Sequence, residues 1–172
     1  ITFPTDSKLY HRMREKLVAE AVRLGIVLRQ TYTRSSKKSL IMSGRYRHAR
    51  QMKRANREMK KVKIYFGRVL RDLQRKTAEI TQNEKLDQLL ELGIRLWKQK
   101  RDDKNKLYSL HAPEVECIAK GKARTKYEFG CKVSFVTSSA GNFFLGSQAL
   151  HGNPYDGHTL KNAIKQAEKL IP

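Results

Sequence analysis

From Met52 to Leu73 the apolar residues Met52, Ala55, Met59, Val62, Phe66, Val69 and Leu73 are spaced 3, 4, 3, 4, 3, 4. This is a heptad seam, and an apolar stripe of this kind obliges a partner helix to cover it. The stretch from Ser43 to about Ile80 has no Pro and has Gly only at 44 and 67. The spacing predicts one helix over this span, roughly 50–60 Å long at the rise of an α-helix. Thr81-Gln82-Asn83-Glu84 then fits a capping box ahead of Leu86, Leu89, Leu90, Ile94 and Trp97. A second helix folding back antiparallel buries both seams, so residues 43–101 are expected to form a helical hairpin. The other use of such a seam is an intermolecular coiled coil, in which the basic helix serves assembly.

The same stretch is extreme in charge. Between Arg45 and Lys76 there are thirteen Lys and Arg against only Glu58 and Asp72. These residues carry about half of the chain's formal charge of +21. A solvated coiled-coil face ordinarily interleaves both signs. The imbalance points instead to a phosphate-binding surface, which orients a protein on nucleic acid without reading bases. Charge alone leaves DNA and RNA equally open. The candidate binding residues here are Arg45, Arg47, Arg50, Lys53, Arg54, Arg57, Lys60 and Lys61. A second cluster, Lys120-Gly121-Lys122-Ala123-Arg124-Thr125-Lys126, adds Lys120, Lys122 and Arg124, with a glycine that lets backbone approach a phosphate. It lacks the spacing of a nucleotide-binding loop, and a plain basic turn is an equal reading.

The remainder of the chain frames this segment. Leu9, Met13, Leu17, Ala21 and Leu24 follow the cap-forming Thr5-Asp6-Ser7 and predict a first helix from about Ser7 to Gln30. Residues 1–5 suggest the end of a strand, and the polar run 33–39 has the composition of a loop. Beyond Lys106 the period changes to two. Tyr127, Phe129, Cys131, Val133 and Phe135 alternate with polar residues, Ser138 to Gly141 is a turn, and Asn142 to Leu150 is β-prone. An antiparallel hairpin is expected there, followed by an amphipathic helix opening at Thr159. Extended structure on both sides of a helical stretch implies an α/β fold carrying a helical insertion. The expected divisions are 1–6 (strand end), 7–105 (helical insertion) and 106–172 (hairpin plus helix).

Several chemistries find little footing. The 39% of hydrophobic residues argues against simple disorder, and the longest uncharged run, Val133 to Tyr155, is broken by Gly, Ser, Asn and Pro. Cys117 and Cys131 match no zinc spacing and are expected as buried thiols; the five histidines form no metalloprotease motif. No Ser-His-Asp arrangement is evident. A nuclease would hold paired Mg²⁺ ions with carboxylates, and Asp6, Glu114, Glu116 and Asp156 are the acids to consider. Capping accounts for Asp6 and turn formation for Asp156, while Glu114 and Glu116 have no third acid tied to them. No catalytic or metal-binding residue is therefore assigned.

Four phrases carry a family resemblance: Phe3 to Tyr10 (Phe-Pro-Thr-Asp-Ser-Lys-Leu-Tyr), Tyr108 to Ala123 (Tyr-Ser-Leu-His-Ala-Pro-Glu-Val-Glu-Cys-Ile-Ala-Lys-Gly-Lys-Ala), Tyr127 to Ser134 (Tyr-Glu-Phe-Gly-Cys-Lys-Val-Ser) and Gly152 to Leu160 (Gly-Asn-Pro-Tyr-Asp-Gly-His-Thr-Leu). Together they resemble bacterial insertion-sequence transposases of the DDE type, the IS-five-like group. The resemblance implies an RNase H-like catalytic domain that cuts and joins DNA at the terminal inverted repeats. It also implies two Mg²⁺ ions in the intact enzyme, a homodimer or higher assembly, and a cytoplasmic, nucleoid-associated setting in bacteria. The family's catalytic acids sit in an Asp-Thr-Thr-like stretch, an Asp-Arg-Gly-Tyr-like strand and a later Glu. Neither motif occurs here. The chain starts at Ile1, so it is expected to be the interval between the first two catalytic acids, inactive by itself. A non-enzymatic basic nucleic-acid-binding protein, architectural or ribosome-associated, fits the composition equally well.

Overall fold

The computed structural model describes residues 4–78, 83–119, 121 and 126–169. It is mixed α/β, with five helices and two small antiparallel sheets among the described residues. The chain divides into two compact units, Ile1–His111 and Ala112–Pro172.

The first unit is helical. Helix α1 (Asp6–Arg23) is capped by Thr5, whose hydroxyl accepts from the Lys8 amide at 3.4 Å. Leu9, Met13, Leu17 and Ala21 are buried, as their spacing predicts. The helix stops well short of Gln30. Gly25, at φ 68°, turns the backbone left-handed, so the Ile26 amide reaches the Ala21 carbonyl (2.8 Å) and the Gly25 amide that of Val22 (3.1 Å). This closure satisfies the last carbonyls and ends the helix.

The segment 33–39, expected as a loop, is instead the start of α2 (Thr33–His48). Its buried face is Ser36, Ser39 and Ser43, a stripe too polar to register as apolar periodicity. The expected single helix over 43–80 is also two helices, broken at residues 49–51 before α3 (Met52–Lys76). The break repeats the closure of α1. The Gln51 amide bonds the Tyr46 carbonyl (2.8 Å) and the Arg50 amide that of Arg47 (3.0 Å), with Arg50 at φ 56° where glycine usually stands.

Helices α2 and α3 run antiparallel. Arg54 lies over the Tyr46 ring, the Ser43 hydroxyl donates to the Ala55 carbonyl (3.2 Å), and Tyr32 beside α2 stacks on Tyr65 (4.8 Å). Helix α4 (Glu84–Lys98) is capped by Asn83, whose side chain accepts from the Leu86 amide at 3.1 Å. Thr81, the expected cap, lies outside the described residues. α4 folds back along α3, with Trp97 against Gly67, Leu70 against Gly93, and the Lys63 ammonium on the Gln99 carbonyl. The expected two-helix hairpin over 43–101 is thus three antiparallel helices, and α1 also packs on α3.

The heptad seam is used up inside the chain. Val62, Phe66, Val69 and Leu73 are fully buried with Met13, Leu17, Leu86, Leu96 and Leu107. This corrects the intermolecular coiled-coil reading, because these side chains already have their partners. Met52, at the end of the seam, is exposed.

The second unit begins with β1 (Glu116–Ala119) and β2 (Tyr127–Gly130), which pair antiparallel, Cys117 opposite Phe129. β3 (Lys132–Thr137) pairs antiparallel with β4 (Phe144–Leu150), Val133 opposite Ala149, and α5 (Asp156–Glu168) packs on this hairpin. The expected single strand over 127–135 breaks at Cys131, and its halves join different partners. Beneath α5 lie Lys132, Ser134 and Val136, while Val133 and Phe135 on the opposite face are exposed. The period of two is real, but its apolar side faces outward. Cys117 and Cys131 are both exposed, which corrects their expected burial. The expected strand end at 1–6 lies partly outside the described residues; Asp6 already belongs to α1.

Candidate nucleic-acid interface

Helix α3 has two faces with opposite chemistry. One is the buried seam. On the other, Lys53, Arg57, Lys61, Ile64, Arg68, Arg71 and Arg75 follow at spacings of 4, 4, 3, 4, 3, 4, all of them exposed. Six of these seven positions are cationic. The spacing keeps them on one stripe, about 33 Å long at 1.5 Å per residue. That length is close to one turn of a B-form duplex, roughly 34 Å.

The two acids of the segment neutralise little of this charge. Glu58 pairs with Lys61 at 2.7 Å, and Asp72 lies 3.7 Å from Arg75 and 3.6 Å from Lys76. The Lys61 hydrogen bond, helped by Ser39, holds the Glu58 carboxyl below its usual range. Among the described residues, Arg45, Arg47, Arg50, Lys53, Arg54, Arg57 and Lys60 have no carboxylate partner within ion-pair distance. Unpaired cations are the ones that exchange condensed counterions when a phosphate arrives.

Backbone geometry brings the first part of the site together. Arg45 and Arg47 occupy the last turn of α2, Arg50 the left-handed turn, and Lys53 and Arg54 the first turn of α3. α3 carries no acid in that turn and no side-chain cap on its first amides, so the cations add to the positive end of the helix dipole. Arg54 is the most constrained of the group, over Tyr46 at 5.8 Å and donating to the Gln51 side chain at 3.1 Å. Lys61 is held by Glu58. Lys120, Lys122 and Arg124 lie outside the described residues.

Further exposed cations extend the surface beyond the residues that the sequence singles out. Arg34, Lys37 and Lys38 are exposed on α2, which has no acidic residue at all. Their charge is legible in the sequence, but the polar run that holds them reads as a loop and not as α2. Arg68, Arg71 and Arg75 were legible as the continuation of the stripe.

Catalytic chemistry finds no comparable support. Among the described residues no group of three His, Cys, Asp or Glu stands close enough to hold a metal ion, so they do not fit the Mg²⁺ pair of the transposase resemblance. Asp6 pairs with Lys106 (3.4 Å), Asp156 with Lys132 (2.6 Å), and Glu116 accepts from the Gly152 amide and faces His151 (3.3 Å). One Ser-His-acid constellation does form, unseen in the sequence. His11 Nδ1 shares a 2.7 Å hydrogen bond with the Ser36 hydroxyl, and its Nε2 lies 3.3 Å from Glu15. Ser36 is 0% exposed, so no substrate can reach it, and the arrangement is a clamp between α1 and α2.

Over 51 residues the chain is 49% identical to a Rhizobium meliloti protein described as uncharacterized protein ORF8 in the nfe locus. The match covers 30% of this chain and 25% of that protein. No protein-family profile matches the chain. No solved structure matches it significantly. No helix among the described residues is long and apolar enough to cross a membrane.

Proposed function

We propose that this chain is part of a bacterial insertion-sequence transposase of the DDE type, and that its helical unit supplies scaffold and DNA backbone contacts. The observation that carries the DNA-binding reading is the cationic stripe of α3, set opposite its buried seam and largely unneutralised. The stripe is rigid because α1, α2 and α4 hold α3 in place, so its charges are presented in order without a folding cost on binding.

The family reading rests on the four quoted phrases, and the second unit is compatible with it. Phe135 (61% exposed) and Phe144 (75%) stack edge to face on the open side of the β3–β4 hairpin, with Val133 also exposed there. An apolar sheet face of this kind is expected where further strands or helices of a larger RNase H-like core would cover it. In this reading the Mg²⁺-binding acids belong to other parts of the intact enzyme, which assembles as a dimer or higher on the terminal inverted repeats in the nucleoid.

The test is a binding comparison among the element's inverted-repeat DNA, random duplex and structured RNA at two salt concentrations. Duplex binding with a steep salt dependence is expected, since six to ten phosphate contacts lose roughly 10³–10⁵ in affinity between 50 and 200 mM salt. RNA binding without DNA binding would favour the non-enzymatic alternative. Mg²⁺-dependent nicking by the 172-residue chain would show that it holds a complete centre, against the proposal.

A further inference from the structure

We propose that the cleft between the segment after α1 and the second half of α3 binds a phosphate monoester on a nucleotide-sized ligand. The cleft has a volume of about 550 Å³ and is lined by Arg29, Gln30, Tyr32, Arg68, Arg71, Asp72 and Arg75. Four arginines and one acidic residue thus line the cleft. Arg68, Arg71 and Arg75 come from the α3 stripe, and Arg29 approaches from the opposite wall.

Two of these arginines are held in place before any ligand arrives. Arg68 donates to the Tyr32 hydroxyl at 3.2 Å and lies 5.8 Å from the centre of its ring, which is itself stacked on Tyr65. Arg71 lies over the Trp97 ring at 5.4 Å. These contacts restrain the two heads while leaving several N–H donors of each for an anion, so less side-chain entropy is lost on binding.

The single acid does not cancel this field. Asp72 accepts the Arg29 amide at 2.7 Å, which fixes the loop, and it also faces Arg75 and Lys76. One negative charge among four arginines leaves the cleft cationic, and the same carboxylate positions the wall that carries Arg29. A dianionic phosphate monoester gains more from four clustered guanidiniums than a singly charged diester does, because each added charge strengthens every charge-assisted hydrogen bond. The volume is within the range of small-ligand sites and leaves room for a sugar and base beside the phosphate. A diester running along a duplex needs no such concavity. The cleft shares Arg68, Arg71 and Arg75 with the α3 stripe, whereas Arg29 belongs to the cleft alone.

The monoester could arrive as a free nucleotide or as the 5′-phosphate of a strand end. Trp97, the chain's one tryptophan, reports on the cleft through Arg71. Its emission is followed while the full chain is titrated with adenosine 5′-monophosphate and, separately, with adenosine. In parallel, a ten-nucleotide strand labelled at its 3′ end is compared, with and without a 5′-phosphate, by anisotropy. A saturable response to the mononucleotide with none to adenosine assigns a free nucleotide. A tenfold or greater preference for the 5′-phosphorylated strand assigns a strand end. In either case Arg29→Gln and Arg71→Gln should each weaken binding about tenfold or more, while Lys16→Gln, at an exposed position of α1 that does not line the cleft, leaves it unchanged. Arg29→Gln alters an exposed side chain outside the core, so loss of folding does not obscure that variant. No mononucleotide response together with equal affinity for the two strands overturns the proposal. So does unaltered binding in the Arg29→Gln variant.

Discussion

The indole of Trp97 lies against Gly67, so that a Cβ placed at residue 67 would meet Trp97 Nε1 at 2.5 Å. This contact lets α4 approach α3 and seats Trp97 under Arg71. In an exposed helix interior Gly→Ala stabilises by about 0.5–1 kcal/mol. At Gly67 the added methyl must displace the ring, and overpacking of this kind costs about 1–3 kcal/mol. Gly67→Ala should therefore lower the melting temperature and shift the tryptophan emission. Gly44 is the control, since a Cβ there meets nothing within 4 Å. Gly44→Ala should raise the melting temperature. Both variants moving in the same direction would show that the ring does not set the interface.

The His11–Ser36 clamp makes stability depend on pH. Burial holds the His11 imidazole below its ordinary value of 6.5, with Arg14, Lys37 and Arg12 acting in the same sense and Glu15 against them. The unfolded chain thus takes up a proton at higher pH than the folded one. The stabilisation is complete above about pH 6.5 and is lost as pH falls through the lower, folded value. Thermal melts should show a falling midpoint from pH 7 toward pH 5, above the window where Glu20 and Glu58, both held below the usual carboxylate range, begin to protonate. His11→Gln should flatten that slope while lowering the midpoint at pH 7. An unchanged slope in the variant would place the titrating group elsewhere.

Much of the core was legible in the sequence, because Leu9, Met13, Leu17, Val62, Phe66, Val69 and Leu73 obey helical periods that only burial satisfies. The antiparallel return of α4 onto α3 was legible for the same reason. α2 was not, since it packs on a serine stripe whose value lies in small size and hydrogen bonds. The end of α1 was signalled by Gly25. The identical closure at Arg50 was hidden, because arginine gives no hint of a left-handed backbone. In the second unit the period of two gave strands, but the face that meets α5 carries Lys132, Ser134 and Val136. For the candidate site, charge was legible as a count. Its ordering into a stripe needed only the helix period, whereas the cleft around Arg29 depended on a loop position that no periodicity encodes.

Arg50 occupies a left-handed conformation at φ 56° in the closure of α2. A side chain there costs about 1–2 kcal/mol relative to ordinary backbone, and glycine avoids the clash. Arg50→Gly should hold or raise stability, by up to about 1 kcal/mol once the freer unfolded chain is counted. The same change should weaken polyanion binding, measured by anisotropy on random duplex. Lower stability with unchanged binding would mean that Arg50 supports the fold rather than the ligand.

The stripe itself predicts how binding responds to salt. Arg50, Lys53, Arg57 and Lys60 are exposed and unpaired, whereas Lys61 neutralises Glu58. Replacing Lys61 would leave Glu58 without its partner and confuse charge with stability, so it is left in place. Changing the other four together to Gln should weaken binding similarly for every duplex sequence, because phosphate contacts carry no base information. Each lost phosphate contact removes about 0.9 from the slope of log affinity against log salt, so four reduce its magnitude by up to about 3–4. The circular dichroism melt should be unaltered within about 0.5 kcal/mol, as expected of exposed substitutions that break no ion pair. Loss of affinity for one sequence alone, with the salt slope intact, would mean that these residues read bases and not the backbone.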